Sequence, residues 1–265
     1  MNYTQIMAYV KDLAHQAGRI MLAAHDEAEK TAKTKSGSAN FVTAYDIAVQ
    51  EHLIRRLRER FPEAVFIAEE KDNDPSLLER EFCFVIDPID GTTNFMHNYK
   101  CSAISIAMVS HGETVIGVVY DPYRGELYHA EKGKGAFLND KPIHVSERCS
   151  EQAVVALGTS PYYKDTLAEK TFSLARDVYC RVGDLRRTGT AALDLAYVAA
   201  GRTEGFFEWI LSPWDHAAGV LLVTEAGGIV TQADGSPTVL SAPCSVWAGN
   251  RMIHAVLIDA AKQYC

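Results

Sequence analysis

Apolar residues recur at intervals of three and four along the start of the chain. Ile6, Val10, Leu13, Ala17, Ile20 and Ala24 share one face of a 3.6-residue repeat, which predicts an amphipathic helix over residues 4–29. A polar stretch over 30–40 follows, with Lys33, Lys35 and Gly37 among small residues, and reads as an exposed loop. Thr43-Ala-Tyr-Asp46 then has the form of a capping box, with Asp in place of the usual Glu or Gln. It opens a second helix carrying Ile47, Leu53, Ile54 and Leu57, which Pro62 ends.

The pattern then changes. Short β-like runs cover 64–68, 82–86, 102–109 and 114–120, and Ser110-His-Gly-Glu113 between the last two is a hairpin signal. Strand and turn chemistry continues through 126–139, so the middle of the chain is an antiparallel or mixed sheet preceded by helices. The second half alternates: strand 154–157, helices 167–177 and 191–200, strand 205–209, helix 213–226, strands 229–232 and 245–248, and a final helix from about 250. No repeat, low-complexity tract or clear linker interrupts it. The alternation changes near residue 150, which divides the chain into two interlocked sub-domains, 1–150 and 151–265.

Composition narrows the possible functions. A length of 265 residues fits one large or two small domains, and 48% hydrophobic with 23% charged residues excludes wholesale disorder. Lys+Arg 26 against Asp+Glu 34 leaves a net charge of −8, which disfavours nucleic acid and anionic membranes as partners. Arg55, Arg56, Arg58 and Arg60 come closest to a basic cluster and read as a solvated helix face. The six cysteines form no CxxC pair, the first residues lack the basic start and apolar core of a signal peptide, and no apolar run approaches a membrane span. A soluble cytoplasmic protein with reduced thiols is expected.

The informative segment is Phe84-Val-Ile-Asp87-Pro88-Ile89-Asp90-Gly91-Thr92-Thr93-Asn94-Phe95. An apolar strand runs into Asp87, and Pro88 removes a ladder donor and predicts a turn. Across that turn the carboxylates of Asp87 and Asp90 can reach one small volume, where like charges raise each other's pKa unless a hard cation neutralises them. Gly91-Thr92-Thr93 follows at once, with backbone N–H groups and hydroxyls suited to an anion. Metal-binding acids beside an anion cradle point to phosphoryl chemistry; the plainer alternative is an Asx-rich turn that caps a strand. Glu69 and Glu70 end another short apolar run, where strand ends are often acidic in any case. Ser212-Pro213-Trp214-Asp215 opens a helix, and Asp215 either joins the other acids or simply complements the helix dipole.

Taken with Gly133-Lys-Gly-Ala-Phe-Leu-Asn139, Gly189-Thr-Ala191 and Trp214-Asp-His-Ala-Ala-Gly219, the Asp87–Asn94 run and the Glu69-Glu70 pair resemble the inositol monophosphatase family. The motifs occur in order and cover essentially the whole chain. The resemblance implies an α/β (α+β) fold, a layered αβαβα sandwich of the inositol monophosphatase and fructose-1,6-bisphosphatase type. It also implies a magnesium-dependent, lithium-sensitive phosphomonoesterase, usually homodimeric, with two or three Mg2+ per site. By motif position it makes Glu69, Asp87, the Ile89 carbonyl, Asp90 and Asp215 the metal ligands. Thr92, held by Asp46, orients the attacking water together with Glu69. Gly91, Thr92 and Thr93 hold the phosphate, while Gly189, Thr190, Ala191 and Glu208 line the alcohol side, which Asp90 also reaches.

Within the family the Asp-Gly-Thr-Thr-Asn-Phe form and Glu208 favour a small polyol ester, myo-inositol 1-phosphate first, over phosphorylated nucleotides. Histidinol phosphate and fructose 1,6-bisphosphate remain alternatives of the same chemistry. An alternative of another class is a regulatory protein that binds transcription or RNA-processing machinery, as some bacterial members do. Asn40 stands where relatives often carry Asp, which leaves the role of the Lys35 loop open. His216 is expected as a partly exposed helix residue, His97 is undecided, and Phe206, Phe207, Trp209 and Trp214 read as core rather than substrate wall.

Overall fold

The computed structural model describes residues 3–24, 33–36, 40–42 and 44–264. Helix α1 (Tyr3–Ala24) is the first element, and α2 (Ala44–Arg60) lies beside it, its first turn carrying Asp46. The last residues of the first expected helix, and the proposed cap residue Thr43, lie outside the described residues. Where the sequence reads as a loop, β1 (Lys33–Ser36) pairs antiparallel with β2 (Asn40–Val42). Pairing of this kind is a backbone interaction, and a polar ribbon without alternation leaves no hydrophobic signal in the sequence. Lys35 and Asn40 therefore belong to strands.

A seven-stranded sheet follows, in the order β3 (Val65–Ala68), β4 (Cys83–Asp90), β5 (Ala103–Ser110), β6 (Glu113–Asp121), β7 (Glu126–Glu131), β8 (Ala136–Leu138) and β9 (Lys141–Ile143). Only β3–β4 is parallel. The β5–β6 turn has His111 at φ 51° and Gly112 at φ 80°, the positive values a tight two-residue hairpin needs. Strand β4 does not stop at Asp87. It runs on through Pro88 to Asp90, with an irregular register against β5 between Asp87 and Asp90. The β3 partner ends at Ala68 opposite Ile86, so Pro88 lies beyond that ladder and its missing N–H leaves no bond unmade there.

The second sheet has the order β11 (Asp184–Arg186), β10 (Val154–Leu157), β12 (Gly205–Leu211), β14 (Cys244–Gly249), β13 (Ile229–Thr231). Alternation along its strands and those of the first sheet sorts side chains into three cores. Phe84, Ile86, Ile104 and Ile106 pack with Ile6, Leu13 and Leu53 of α1 and α2. Val85, Ala107 and Val119 face the other way and join Phe206, Val246 and Ala248 of the second sheet across α5 (Ala191–Ala199) and α6 (Pro213–Glu225). Val155, Phe207 and Trp247 pack with Leu174 of α4 (Lys164–Tyr179) and Leu257 of α7 (Arg251–Ala261). The layers are thus helix, sheet, helix, sheet, helix, the αβαβα order expected. Each fully buried Leu, Ile or Phe contributes roughly 1.5–3 kcal/mol by leaving water.

The central helix layer lies between two sheets and is built for close approach. A Cβ on Gly117 would sit 2.8 Å from the Ala218 carbonyl oxygen, and one on Gly219 would sit 2.5 Å from Leu195. His216 shares this burial and is fully inaccessible, not partly exposed, with Nε2 3.7 Å from Cys244 Sγ. Burial lowers its pKa to about 4. The described cysteines are free, and among the described residues no helix is long and apolar enough to cross a membrane.

Candidate active site

The bulged end of β4, a short helix α3 (Thr92–Met96) and the N-termini of α5 and α6 meet around one cavity of about 570 Å³. Twelve of the residues expected from the motifs line it: Glu69, Asp87, Ile89, Asp90, Gly91, Thr92, Thr93, Gly189, Thr190, Ala191, Glu208 and Asp215. Asp46 stands behind this wall, fully buried, with its Oδ1 3.1 Å from the Thr92 hydroxyl.

Each carboxylate is placed by its own element. Glu69 follows β3 directly, its N–H donating to the Ile86 carbonyl at 3.2 Å. Gln50 on α2 clamps the next residue, accepting from the Glu70 N–H at 2.8 Å and donating to its carbonyl at 3.0 Å. Asp87 accepts the Ile89 N–H at 3.1 Å, a local bond that folds the chain across Pro88 and aligns Asp87 with Asp90. Asp90 Oδ2 accepts the Ala192 N–H at 2.7 Å and the Thr190 hydroxyl, so it caps α5 from outside the helix. Asp215 accepts the Ser212 N–H at 2.6 Å, the reciprocal half of a capping box, which engages one of its two oxygens. The capping reading and the cluster reading of Asp215 therefore hold together.

Packed this way, the acids disturb each other. Burial first, then the charges of Glu69, Asp90, Asp215 and Asp46, hold Asp87 well above the usual carboxylate range. Burial likewise raises Asp90 to about 6, against the hydrogen bonds from Thr190 and Ala192. Asp215 is raised by burial and then by Asp90 and Glu69. Asp46, Glu69 and Glu70 also bring carboxylate oxygens within 4.8 Å of one another. Such a cluster of hard oxygen donors fits a divalent cation of the magnesium type.

The rest of the wall is shaped by two glycines and a bridging amide. Gly91 has φ +87°, and Gly189 has φ +92° with room for no Cβ, which would meet Arg187 Nη1 at 2.2 Å. Asn94 Nδ2 donates to the Cys101 carbonyl at 2.7 Å and to the Thr188 carbonyl at 2.9 Å, tying α3 to the Gly189 loop. The Thr92 hydroxyl lies 3.1 Å from Asp46 and 3.2 Å from the Ile89 carbonyl, but its one proton serves only one of them. Directed at Asp46, it leaves the Ile89 carbonyl oxygen open to another partner.

On the far side of the cavity, residues the motifs do not mark surround Glu208. Glu208 accepts the Ser160 N–H at 2.7 Å and its hydroxyl at 3.2 Å, and burial raises it to about 7. Glycine at 158 leaves the space that Glu208 fills, because a Cβ there would lie 1.8 Å from Glu208 Oε2 and displace it. Tyr162, Arg187 and the buried Asp194 also line the cavity. Asp194 Oδ2 accepts the Thr188 hydroxyl at 2.8 Å, while burial raises its pKa well above the ordinary value. Trp214 is only partly buried and reaches the cavity too, unlike Phe206, Phe207 and Trp209, which are core as expected. His97 is exposed just past α3 and does not line the site.

The model of the inositol monophosphatase family matches residues 2–265. A Nus factor SuhB of Escherichia coli K12 is 37% identical over 246 residues, 93% of this chain and 92% of that protein. An inositol-1-monophosphatase of Bacillus subtilis is 36% identical over 260 residues, 97% of each chain. Among solved structures, an extragenic suppressor protein suhB from Bartonella henselae superposes with a TM-score of 0.89 at 37% identity, covering 98% of this chain and 99% of that one. An IMPase of Thermotoga maritima gives 0.86 at 31% identity, covering 98% of each. By sequence, by fold and by the order of its motifs, this chain belongs to the inositol monophosphatase family.

Proposed function

We propose that this chain is a magnesium-dependent phosphomonoesterase acting on a small polyol phosphate, with myo-inositol 1-phosphate as the leading substrate. One observation carries the reading: Glu69, Asp87, Asp90 and Asp215 share a single cavity with the Gly91–Thr93 turn. Four carboxylates alone would repel a phosphate dianion, and Asp87 and Asp215 are raised by burial first and then by the charges of their acidic neighbours. In this reading Glu69, Asp87, the Ile89 carbonyl, Asp90 and Asp215 hold magnesium, two or three ions per site. When bound, magnesium supplies the positive charge that offsets the phosphoryl oxygens and makes water a better nucleophile near neutral pH.

The chain's own groups do the positioning. With its proton given to Asp46, the Thr92 oxygen offers lone pairs to the attacking water, and Glu69 accepts a second hydrogen bond from it. The N–H groups of Gly91, Thr92 and Thr93 and the Thr93 hydroxyl hold phosphoryl oxygens at the start of α3. Gly189, Thr190, Ala191 and Glu208 face the alcohol, and Asp90 reaches from the metal side to one of its hydroxyls. The two halves of the chain, 1–150 and 151–265, act as one catalytic unit in a cytoplasmic homodimer that lithium inhibits.

The test is phosphate release from a panel of esters with magnesium and with a chelator. The panel holds inositol 1-phosphate, histidinol phosphate, fructose 1,6-bisphosphate, NADP and adenosine 3′,5′-bisphosphate. Chelator-sensitive release with inositol 1-phosphate the favourite is the expected result; release from none by folded, metal-loaded protein sinks the reading. The Nus factor name of the Escherichia coli relative supports a second reading, a partner of the transcription and RNA-processing machinery. A pull-down from lysate at moderate salt that recovers no such component counts against it.

A further inference from the structure

Tyr162 lines the same cavity as the acids and the phosphate turn, yet no motif of the sequence marks it. Its ring is half exposed at the rim. Its phenol is raised above the ordinary value, by partial burial first and then by the charges of Glu69, Asp215, Asp87 and Asp90. At neutral pH the phenol is a protonated donor, and its residue lines the cavity together with Glu69, Asp87, Gly91, Thr92 and Thr93. The hydroxyls of Ser160 and Thr190 on this side of the cavity already have partners, Glu208 and Asp90. Among the described residues the Tyr162 hydroxyl makes no hydrogen bond.

The segment that carries it is not a loose loop. Ser160 adopts φ +42°, a left-handed conformation unfavourable for a residue with a Cβ, and both its N–H and its hydroxyl are held by Glu208. Pro161 then fixes the backbone, and the Tyr163 N–H closes the turn on the Ser160 carbonyl at 2.8 Å. Thr166 of α4 donates to the Tyr163 carbonyl at 3.0 Å, anchoring the far end. Tyr162 is therefore preset over the cavity, and the bond that presets it runs to the residue facing the alcohol.

We infer that Tyr162 contacts the substrate itself, donating its phenolic hydrogen to a non-bridging phosphoryl oxygen from the Gly158–Tyr163 side of the cavity. The inference rests on the phosphatase reading for its meaning but not for its test. Inorganic phosphate in the presence of magnesium is titrated into the full-length protein and into Tyr162→Phe by calorimetry. Magnesium alone serves as a control, and inositol 1-phosphate hydrolysis is measured alongside. Loss of one hydrogen bond to a charged oxygen should weaken phosphate binding about tenfold or more, lower kcat/KM by a similar factor, and leave the affinity for magnesium unchanged. Equal phosphate affinity in the two proteins overturns the inference, even if the ranking of ester alcohols changes, because the hydroxyl would then serve the alcohol. If the protein binds phosphate but cleaves no ester, the phosphatase reading fails while the titration still decides the role of Tyr162. No phosphate binding by the unaltered protein overturns both.

Discussion

The two ends of the cavity are built differently. The proposed phosphate end comes largely from one contiguous run, Asp87 to Thr93, in which a strand with an irregular register hands over directly to a short helix. The proposed alcohol end is assembled from the distant residues 187–194 and Glu208, with the 158–163 segment bridging toward the phosphate, held together by side-chain bonds such as Ser160 to Glu208 and Arg187 to Thr159. A contiguous run can be placed by local geometry alone, whereas an assembled wall depends on every clamp that joins it. Damage to the first should therefore abolish chemistry, and damage to the second should retune selectivity.

The largest expected effect tests the phosphate end. Asp90→Asn should reduce turnover about a thousandfold while leaving the fold intact. The amide oxygen still accepts from the Thr190 hydroxyl and the Ala192 N–H, so the cap on α5 survives. Near-normal phosphate release from a variant with an unchanged thermal midpoint would remove Asp90 from the site. A smaller effect is expected at the alcohol end with Gly158→Ala. The new Cβ occupies the position of Glu208 Oε2 and displaces that carboxylate from Ser160. KM for a polyol ester should rise roughly tenfold, by about the strength of a charged hydrogen bond, with smaller change in kcat. Equal loss in both parameters would show that the two ends do not act separately.

The same contrast explains what could be read from the sequence. Asp87, Asp90 and Thr92 were legible because the chemistry lies in neighbouring residues, where Pro88 and Gly91 also mark the backbone. The strand continuing through Pro88 was not legible, since it depends on where the β3 partner stops. Asp194 sits at an ordinary helical position, and only the fold shows its carboxyl bonded to Thr188. Tyr162 lies in Ser-Pro-Tyr-Tyr, which resembles any turn until the left-handed Ser160 is seen bonded to Glu208. His216 misled for a related reason: a single helix does not reveal that sheets cover it on both sides. The layer order was within reach, because strand alternation and helix periodicity write the buried faces directly into the chain.

The smallest expected effect is one of pH on stability, and it isolates the alcohol end without any substrate. Glu208 is raised from 4.5 to about 7 by burial, so between those values the folded chain retains a proton that the unfolded chain has released. Stability from that proton is full below about pH 4.5 and is lost as pH rises toward 7. Above that pH the carboxylate is ionised in both states, and folding bears its full desolvation cost. Glu208→Gln has no such proton. Metal-free wild type should therefore lose stability relative to the glutamine variant across this window, by about 3 kcal/mol, and the gap should level off above it. Thermal midpoints measured in chelator at intervals of pH give the comparison, which reads Glu208 together with its charge coupling to Asp90, Asp194 and Asp215. A constant gap would mean that the Ser160 bonds already hold Glu208 ionised, and that the alcohol wall is charged before any substrate arrives.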